Sequence, residues 1–205
     1  MTLPHIVLLD NFDSFTYNLV DQFRTLGCPV TIYRNSLSVE QMVQALAEKT
    51  NPVLVLSPGP GAPADAGCMP ALIKKMQGKV PMIGICLGHQ AIVEAYGGKV
   101  AGAGDIVHGK SAMMQHNGHA VFGGLPSPLS IARYHSLVAK TVSTDLNVIA
   151  DVDGLVMAVA NDQDKVCGFQ FHPESILTTQ GAQLLTNTLS WVMSSPESTN
   201  NQPTN

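Results

Sequence analysis

The sequence predicts an α/β fold in which a mainly parallel central sheet carries helices on both faces. In the first half of the chain, short apolar runs alternate with segments whose apolar residues recur at helical spacing. The apolar runs are nearly continuous, which is typical of parallel strands buried on both faces. The second half carries short alternating runs between turns, which predicts an antiparallel strand layer appended to this sheet.

The first half alternates between strand and helix. Ser38 and Gln41 fit a capping box at the start of the second helix, and Gly97-Gly98 ends the fourth. In chain order we predict a strand at 5–9, a helix at 15–23, a strand at 30–33, a helix after Ser38, a strand at 53–56, a helix at 69–76, a strand at 82–85 and a helix at 89–96.

The second half predicts strands at 121–122, 131–133, 148–152 and 156–159, a strand-like run near 166–171 and a last helix at 180–193. Residues 194–205 are polar and contain a proline, so we expect a disordered tail. With 205 residues and 45% hydrophobic content, the chain can bury one core but is too short for a second full domain. We expect a single domain, residues 1–193.

Composition argues against several classes of function. Eleven Lys and Arg residues are spread thinly and the net charge is −4, so we expect no nucleic acid partner. No run reaches the ~18 apolar residues of a membrane helix, and we see no signal-type N-terminus. Four cysteines without CxxC spacing indicate reduced thiols, and no cluster has zinc spacing. These features predict a cytoplasmic protein that holds no metal in this chain.

A nucleophile elbow is the first candidate for chemistry. The run Pro81-Met-Ile-Gly-Ile-Cys-Leu-Gly-His-Gln90 places glycines two residues before and two residues after Cys86. A nucleophile on a sharp strand-to-helix turn crowds its neighbours, and glycine leaves the room it needs. The turn also puts the sulfur at a helix N-terminus, which favours the thiolate. We predict that Cys86 is the nucleophile.

A base and its orienting carboxylate follow in the segment Phe169-Gln-Phe-His-Pro-Glu-Ser175. Pro173 biases His172 toward an extended backbone, so the side chains of His172 and Glu174 can lie on one face of the chain. Both would sit just beyond a strand end, where open α/β sheets keep their sites.

The third motif is Leu56-Ser-Pro-Gly-Pro-Gly-Ala-Pro63, a stiff turn whose glycine N–H groups can be closely approached. We name the Gly59 N–H as the first oxyanion donor and the N–H of Leu87, directly after the nucleophile, as the second. Each motif alone has an ordinary structural interpretation, and we assign the remaining cysteines, Cys28, Cys68 and Cys167, to the core. The combination of three motifs at predicted strand ends favours catalysis.

These motifs, Gly84-Ile-Cys-Leu-Gly-His-Gln90, Pro58-Gly-Pro-Gly61 and His172-Pro-Glu174, resemble the class I (triad) glutamine amidotransferases, over about residues 3–193. Within that class, further motifs resemble the glutaminase subunits of anthranilate synthase, component II: Leu9-Asp-Asn-Phe-Asp-Ser-Phe-Thr-Tyr-Asn18, His108-Gly-Lys110, Arg133-Tyr-His-Ser-Leu137 and Glu174-Ser-Ile-Leu-Thr-Thr-Gln-Gly181.

The resemblance implies the fold of that class and its chemistry. Cys86 would attack the side-chain amide of glutamine, His172 would move the protons, and Glu174 would hold His172. The products would be glutamate and ammonia, released through a γ-glutamyl thioester. The residues implied in glutamine binding are Gly59, Pro60, Gly61, Leu87, Gln90, Ser136 and Leu137.

A partner is implied by the product, because ammonia released into neutral water is mostly protonated and loses its nucleophilicity. By resemblance the partner is anthranilate synthase component I, which would bind chorismate and Mg²⁺, while this chain itself would need no cofactor. The glutaminase subunit of aminodeoxychorismate synthase shares nearly all these motifs and stays an alternative. Two further alternatives are a free-standing γ-glutamyl hydrolase and a regulatory subunit whose catalytic site is inactive.

Some polar residues keep two interpretations. The residues before the first predicted helix, Asp10, Asn11, Asp13 and Ser14, are either a partner-facing loop or helix caps. For His135 we expect a structural role, because the chemistry already has a base in His172.

Overall fold

The computed structural model describes residues 3–103 and 109–194. Its strands and longer helices, in chain order, are β1 His5–Asp10, α1 Thr16–Thr25, β2 Val30–Arg34, α2 Val39–Ala47, β3 Pro52–Leu56, α3 Met69–Met76, β4 Met82–Ile85, α4 Leu87–Ala95, β5 Lys99–Gly102, β6 Lys110–His116, β7 Leu129–Arg133, β8 Leu137–Thr141, β9 Asn147–Val152, β10 Leu155–Asn161, β11 Val166–Phe169 and α5 Gly181–Met193.

The main sheet has nine strands in the order β2-β1-β3-β4-β11-β10-β9-β6-β7. The first five strands in that order pair in parallel, and every pair beyond β11 is antiparallel. A second sheet pairs β5 with β8 antiparallel. The predicted fold class is confirmed. The antiparallel strands mainly extend the parallel sheet sideways through β11, because β10 pairs along the free edge of that strand.

Both faces of the sheet are buried, as the continuous apolar runs predict. Along β1, Ile6 and Leu8 belong to one core cluster while Val7 and Leu9 belong to the other, and all four are completely buried. Neighbouring strand residues point to opposite faces, so a strand covered on both sides needs apolar residues at every position. Helices α1 and α5 cover one face, and α2, α3 and α4 cover the other.

Four parallel strands bring the predicted motifs to one edge of the sheet. The register pairs Leu9 with Leu56, Leu56 with Gly84, and Ile85 with Phe169. The loops that follow β1, β3, β4 and β11 therefore leave the sheet side by side at its carboxyl edge. This is the edge at which open parallel sheets bind ligands.

Several local predictions can be compared with the structure. The capping box is present, with the Ser38 side chain accepting from the backbone of Gln41. The predicted strand at 121–122 is wrong: the segment Ala120–Phe122 is a 3-10 helix, because the His119 ring accepts the Val121 N–H and closes a turn. The predicted tail from 195 onward and His108 lie outside the described residues. Among the described helices, none is long and apolar enough to cross a bilayer.

Candidate active site

Cys86 lies at the sharp turn between β4 and α4. Its backbone has φ 50° and ψ −98°, a strained conformation for a residue with a side chain. The turn is held by the Cys86 N–H, which donates to the Phe169 carbonyl at 2.8 Å. Strain of this kind persists only where the surroundings impose it, and it often marks a functional site.

The glycines on either side of Cys86 are required by space. A Cβ on Gly84 would lie 2.5 Å from the Gly88 carbonyl carbon, and a Cβ on Gly88 would overlap the Leu56 carbonyl oxygen. Strand, turn and helix are therefore packed backbone to backbone. The predicted reason for the glycine frame is confirmed.

His172 and Glu174 form a buried pair in the loop after β11. His172 Nδ1 lies 2.7 Å from Glu174 Oε1, and both side chains are almost fully buried. The loop is tied down by Thr178, whose hydroxyl donates to the His172 carbonyl at 2.7 Å and accepts the Ala132 N–H at 3.1 Å. Thr178 lies in one of the sequence motifs quoted above, but nothing in that motif indicated this tether.

The pKa of His172 is raised well above its ordinary value. Burial alone would lower it, but hydrogen bonding to Cys86 and to Glu174, and the charge of Glu174, outweigh burial. Because Nδ1 faces Glu174, Nε2 is the atom left for the sulfur. A protonated imidazole beside Cys86 stabilises the thiolate, the reactive form of a cysteine.

Two aromatic rings, also missed, flank His172. The ring centroids of Phe15 and Tyr134 lie 5.0 and 5.2 Å from that of His172, and 5.2 Å from each other. These contacts pack the imidazole between two rings and so restrict its orientation.

A chain of amides runs from Cys86 to the strand β8. Gln170 Nε2 lies 3.7 Å from Cys86 Sγ, and Gln170 Oε1 accepts from Gln90 Nε2 at 3.2 Å. Gln90 Nε2 also donates to the Leu137 carbonyl at 3.1 Å. Two predicted glutamine-binding residues, Gln90 and Leu137, are thus joined, and Gln170 links them to the nucleophile. Gln170 lies in the segment quoted above for His172 and Glu174, but the sequence pattern indicated no role for it.

The two residues predicted to supply the oxyanion donors are in contact. Gly59 packs against Leu87, since a Cβ on Gly59 would lie 2.8 Å from Leu87 Cδ2. Pro60 and Gly61 are exposed on the outer side of the same loop. Ser136 is also exposed, and its carbonyl accepts the Ala103 N–H at 2.8 Å.

A cavity of about 540 Å³ adjoins the loop after His172. Its lining includes Phe15, Asn18, Tyr134, Glu174 and Ile176. The second carboxylate oxygen of Glu174 is buried without a hydrogen-bond partner among the described residues. Ile176 is 94% exposed at this cavity. None of the residues predicted to bind glutamine lines it.

The other three thiols lie outside the elbow. Cys28 and Cys167 are buried in the core, as predicted, while Cys68 is half-buried. Burial raises the pKa of all three thiols, most strongly that of Cys167. The described residues contain no group of His, Cys, Asp and Glu side chains with the geometry to hold a metal ion.

Two more histidines near the site are buried and neutral. Burial lowers the pKa of His89 to about 3, although the nearby Gly168 backbone acts in the opposite direction. Neither ring nitrogen of His89 makes a well-aligned hydrogen bond among the described residues. Burial, with the Arg133 charge, lowers the pKa of His135 to about 4. Because Arg133 Nε donates to His135 Nε2, the proton of His135 is on Nδ1, which faces the Leu137 carbonyl.

These depressed pKa values predict acid sensitivity. The unfolded chain binds protons at His135 near its ordinary value, about 6.5, and the folded chain only near 4. Stability is therefore lost as the pH falls through 6.5 toward 4. Between about pH 7 and pH 5 we expect the protein to lose ~2 kcal/mol more than the variant His135→Gln. Urea unfolding at both pH values measures this difference, and parallel losses would contradict it.

A family model described as glutamine amidotransferase class-I matches residues 7–191. The match spans most of the chain, and the chain belongs to the class-I glutamine amidotransferases. Within the class, several of its relatives carry the name anthranilate synthase component 2. The protein of that name from Vibrio parahaemolyticus is 66% identical over 191 residues, covering 93% of this chain and 97% of the relative.

A second relative with this name, from Buchnera aphidicola subsp. Schizaphis graminum, is 52% identical and covers 92% of this chain and 96% of the relative. Among solved structures, a candidate GMP synthase subunit from Thermoplasma acidophilum matches with a TM-score of 0.81 over 94% of this chain and 95% of that chain. At 23% identity this likeness shows the fold alone. The predicted family is confirmed.

Proposed function

We propose that this chain is the glutaminase subunit of an anthranilate synthase, which converts glutamine to glutamate and ammonia and passes the ammonia to a synthase component. The observation that carries the proposal is the buried Cys86–His172–Glu174 arrangement, in a chain that is 66% identical to a relative named anthranilate synthase component 2.

The proposed reaction begins with Cys86. Its thiolate attacks the amide carbon of glutamine, and the N–H groups of Gly59 and Leu87 stabilise the negative oxygen that forms. His172, charged and held by Glu174, gives a proton to the departing nitrogen, so that ammonia leaves and a γ-glutamyl thioester remains on the sulfur.

Water completes the turnover. Neutral His172 removes a proton from a water molecule, the resulting hydroxide attacks the thioester carbon, and glutamate leaves as the thiolate is restored beside a protonated imidazole. Around the substrate we assign Gly59, Pro60, Gly61, Gln90, Ser136 and Leu137 to binding of the glutamine head group.

The proposed partner is a synthase component that binds chorismate and Mg²⁺ and eliminates pyruvate to form anthranilate, in a cytoplasmic complex of unlike subunits. Two features of this chain support a partner near the triad. Ile176 is almost fully exposed, and it adjoins a cavity lined by Glu174. We propose no metal or cofactor in this chain.

The decisive experiment measures glutamine hydrolysis by the purified chain, alone and then with anthranilate synthase component I and chorismate. We expect strong stimulation and glutamine-dependent formation of anthranilate. Stimulation only by the aminodeoxychorismate partner would assign the chain to that synthase. Fast hydrolysis by the chain alone, with no effect of either partner, would make it a free-standing hydrolase. The name of the relatives favours the anthranilate enzyme.

A further inference from the structure

Asn11 directly follows β1 and is buried, and both polar atoms of its side chain are hydrogen-bonded. The proposed reaction does not assign it a role. It is 2% exposed. Its Nδ2 donates to the Ser57 carbonyl at 3.0 Å and lies 3.3 Å from Met69 Sδ. Its Oδ1 accepts from Asn35 Nδ2 at 3.0 Å. The carboxamide therefore joins the loop after β1 to the loop after β3.

The main chain of Asn11 makes a second link to the same loop. Its N–H donates to Ser57 Oγ at 2.8 Å, and that hydroxyl donates onward to the Pro58 carbonyl at 2.7 Å. The peptide unit that contains this carbonyl also contains the N–H of Gly59. The direction of that N–H is therefore coupled, through two short hydrogen bonds, to the position of Asn11.

Gly59 also rests directly on Asn11. A Cβ at Gly59 would lie 2.6 Å from Asn11 Cβ and 2.9 Å from the Asn11 carbonyl oxygen. The absent side chain of Gly59 is what allows the two loops to approach this closely. A shift of Asn11 would therefore move the Gly59 backbone with it.

Asn11 itself is held from the other side. The Asp10 carboxylate accepts the Phe12 N–H and the Thr16 hydroxyl, each at 3.0 Å, and lies 3.3 Å from Arg34 Nε. Phe12 is fixed in a left-handed conformation, with φ 62°. The loop after β1 is thus a rigid support, and Asp10 fixes this loop without capping α1, which has no side-chain cap.

We propose that Asn11 is the positioning residue that sets the Gly59 N–H at the place where the oxyanion forms. The proposal rests on the proposed function, in which Gly59 supplies that N–H. An oxyanion donor acts only when it is aimed within a few tenths of an ångström of the developing charge, so its support decides the rate.

The test is the variant Asn11→Ala, assayed in the reconstituted complex. We expect kcat for glutamine to fall about 100-fold, because a donor displaced by about 1 Å loses most of its effect. KM should change by less than about threefold, since the contact strengthens mainly in the transition state. Alkylation of Cys86 by iodoacetamide forms no oxyanion, and its rate should stay unchanged.

A matched control is Asn187→Ala. Asn187 also uses one carboxamide nitrogen to hold two backbone carbonyls, those of Val121 and Gly123 at 3.2 and 2.8 Å, at the other end of the chain. Asn187→Ala should lower thermal stability by about as much as Asn11→Ala does and leave kcat unchanged. If Asn11→Ala does not fold, Ser57→Ala takes its place, because it removes only the hydroxyl between the Asn11 N–H and the Pro58 carbonyl.

The outcomes separate this inference from the proposed function. An unchanged kcat in Asn11→Ala or Ser57→Ala, or a loss of kcat equal to that in Asn187→Ala, would overturn the positioning role. A loss in the rate of Cys86 alkylation as large as the loss in kcat would also overturn the positioning role, since it would mean that the substitution had disturbed Cys86 itself. The proposed function would stand in each case, because it is tested separately by Cys86→Ser and by the assay with the synthase partner, neither of which depends on Asn11.

Discussion

Replacing Cys86 with serine is expected to abolish glutamine-dependent anthranilate synthesis while the complex still uses added ammonium. Serine keeps the size of the side chain, but its hydroxyl is a far weaker nucleophile than a thiolate, even beside a charged His172. We expect a loss of at least about 10³-fold in kcat for glutamine, as for other nucleophiles of a triad. Ammonium-dependent synthesis should be unchanged, because in the proposed complex the acceptor site lies on the partner.

The measurement compares both nitrogen sources in one reconstituted complex. Cys68→Ser is the matched control, since this half-buried thiol lies outside the triad and should lose almost no activity. His172→Ala should behave like Cys86→Ser. If Cys86→Ser abolished synthesis from both glutamine and ammonium, the proposed assignment of glutamine hydrolysis to this chain and of ammonia use to the partner would be wrong. A glutamine-dependent activity that survived in Cys86→Ser would remove the nucleophile from the proposed mechanism.

The elbow could be predicted because its causes are local. Gly84 and Gly88 stand two residues from Cys86, and the space that each must leave is set by the turn between β4 and α4. The same holds for the capping box at Ser38 and for the glycines that end α4. In such places a short stretch of sequence contains both the residue and the reason for it.

The supports of the site could not be predicted, because their partners are far away in the sequence. Gln170 contacts Cys86 across 84 positions, and Asn11 contacts Ser57 across 46. Both contacts depend on which strands lie side by side. For example, β11 pairs with β4, although six strands, β5 to β10, lie between them in the chain. Those six strands do not all join the same sheet. A sequence pattern shows that a loop follows a strand, while the strand order decides which loops meet.

Gly181 shows how such a support limits the sequence. It begins α5, and a Cβ there would overlap the carbonyl oxygen of Pro173, the residue between the two members of the His–Glu pair. Gly181 has no positive φ, so the glycine is required by space alone. Its N–H donates to the Thr178 carbonyl at 3.0 Å, which ties the start of α5 to the same loop.

We therefore expect Gly181→Ala to damage stability and activity together. Neither backbone can yield without moving α5 or the His172 loop, so the cost should reach the upper end of overpacking, about 3 kcal/mol. For a chain of this size that lowers Tm by roughly 6–12 °C. If the loop gives way, the His172–Glu174 pair moves away from Cys86, and kcat for glutamine should fall by about 10-fold or more.

Gly102→Ala is the matched control, because a Cβ at Gly102 would meet none of the described residues within 4 Å and its φ is not positive. It should leave Tm and kcat close to those of the parent. Differential scanning calorimetry and the glutamine assay, run on both variants, show whether α5 or the His172 loop moves to relieve the overlap. A lower Tm with full activity means that α5 moved and the triad loop held. An unchanged Tm in Gly181→Ala would mean that the close approach to Pro173 is relieved at no cost, against what the backbone contact requires.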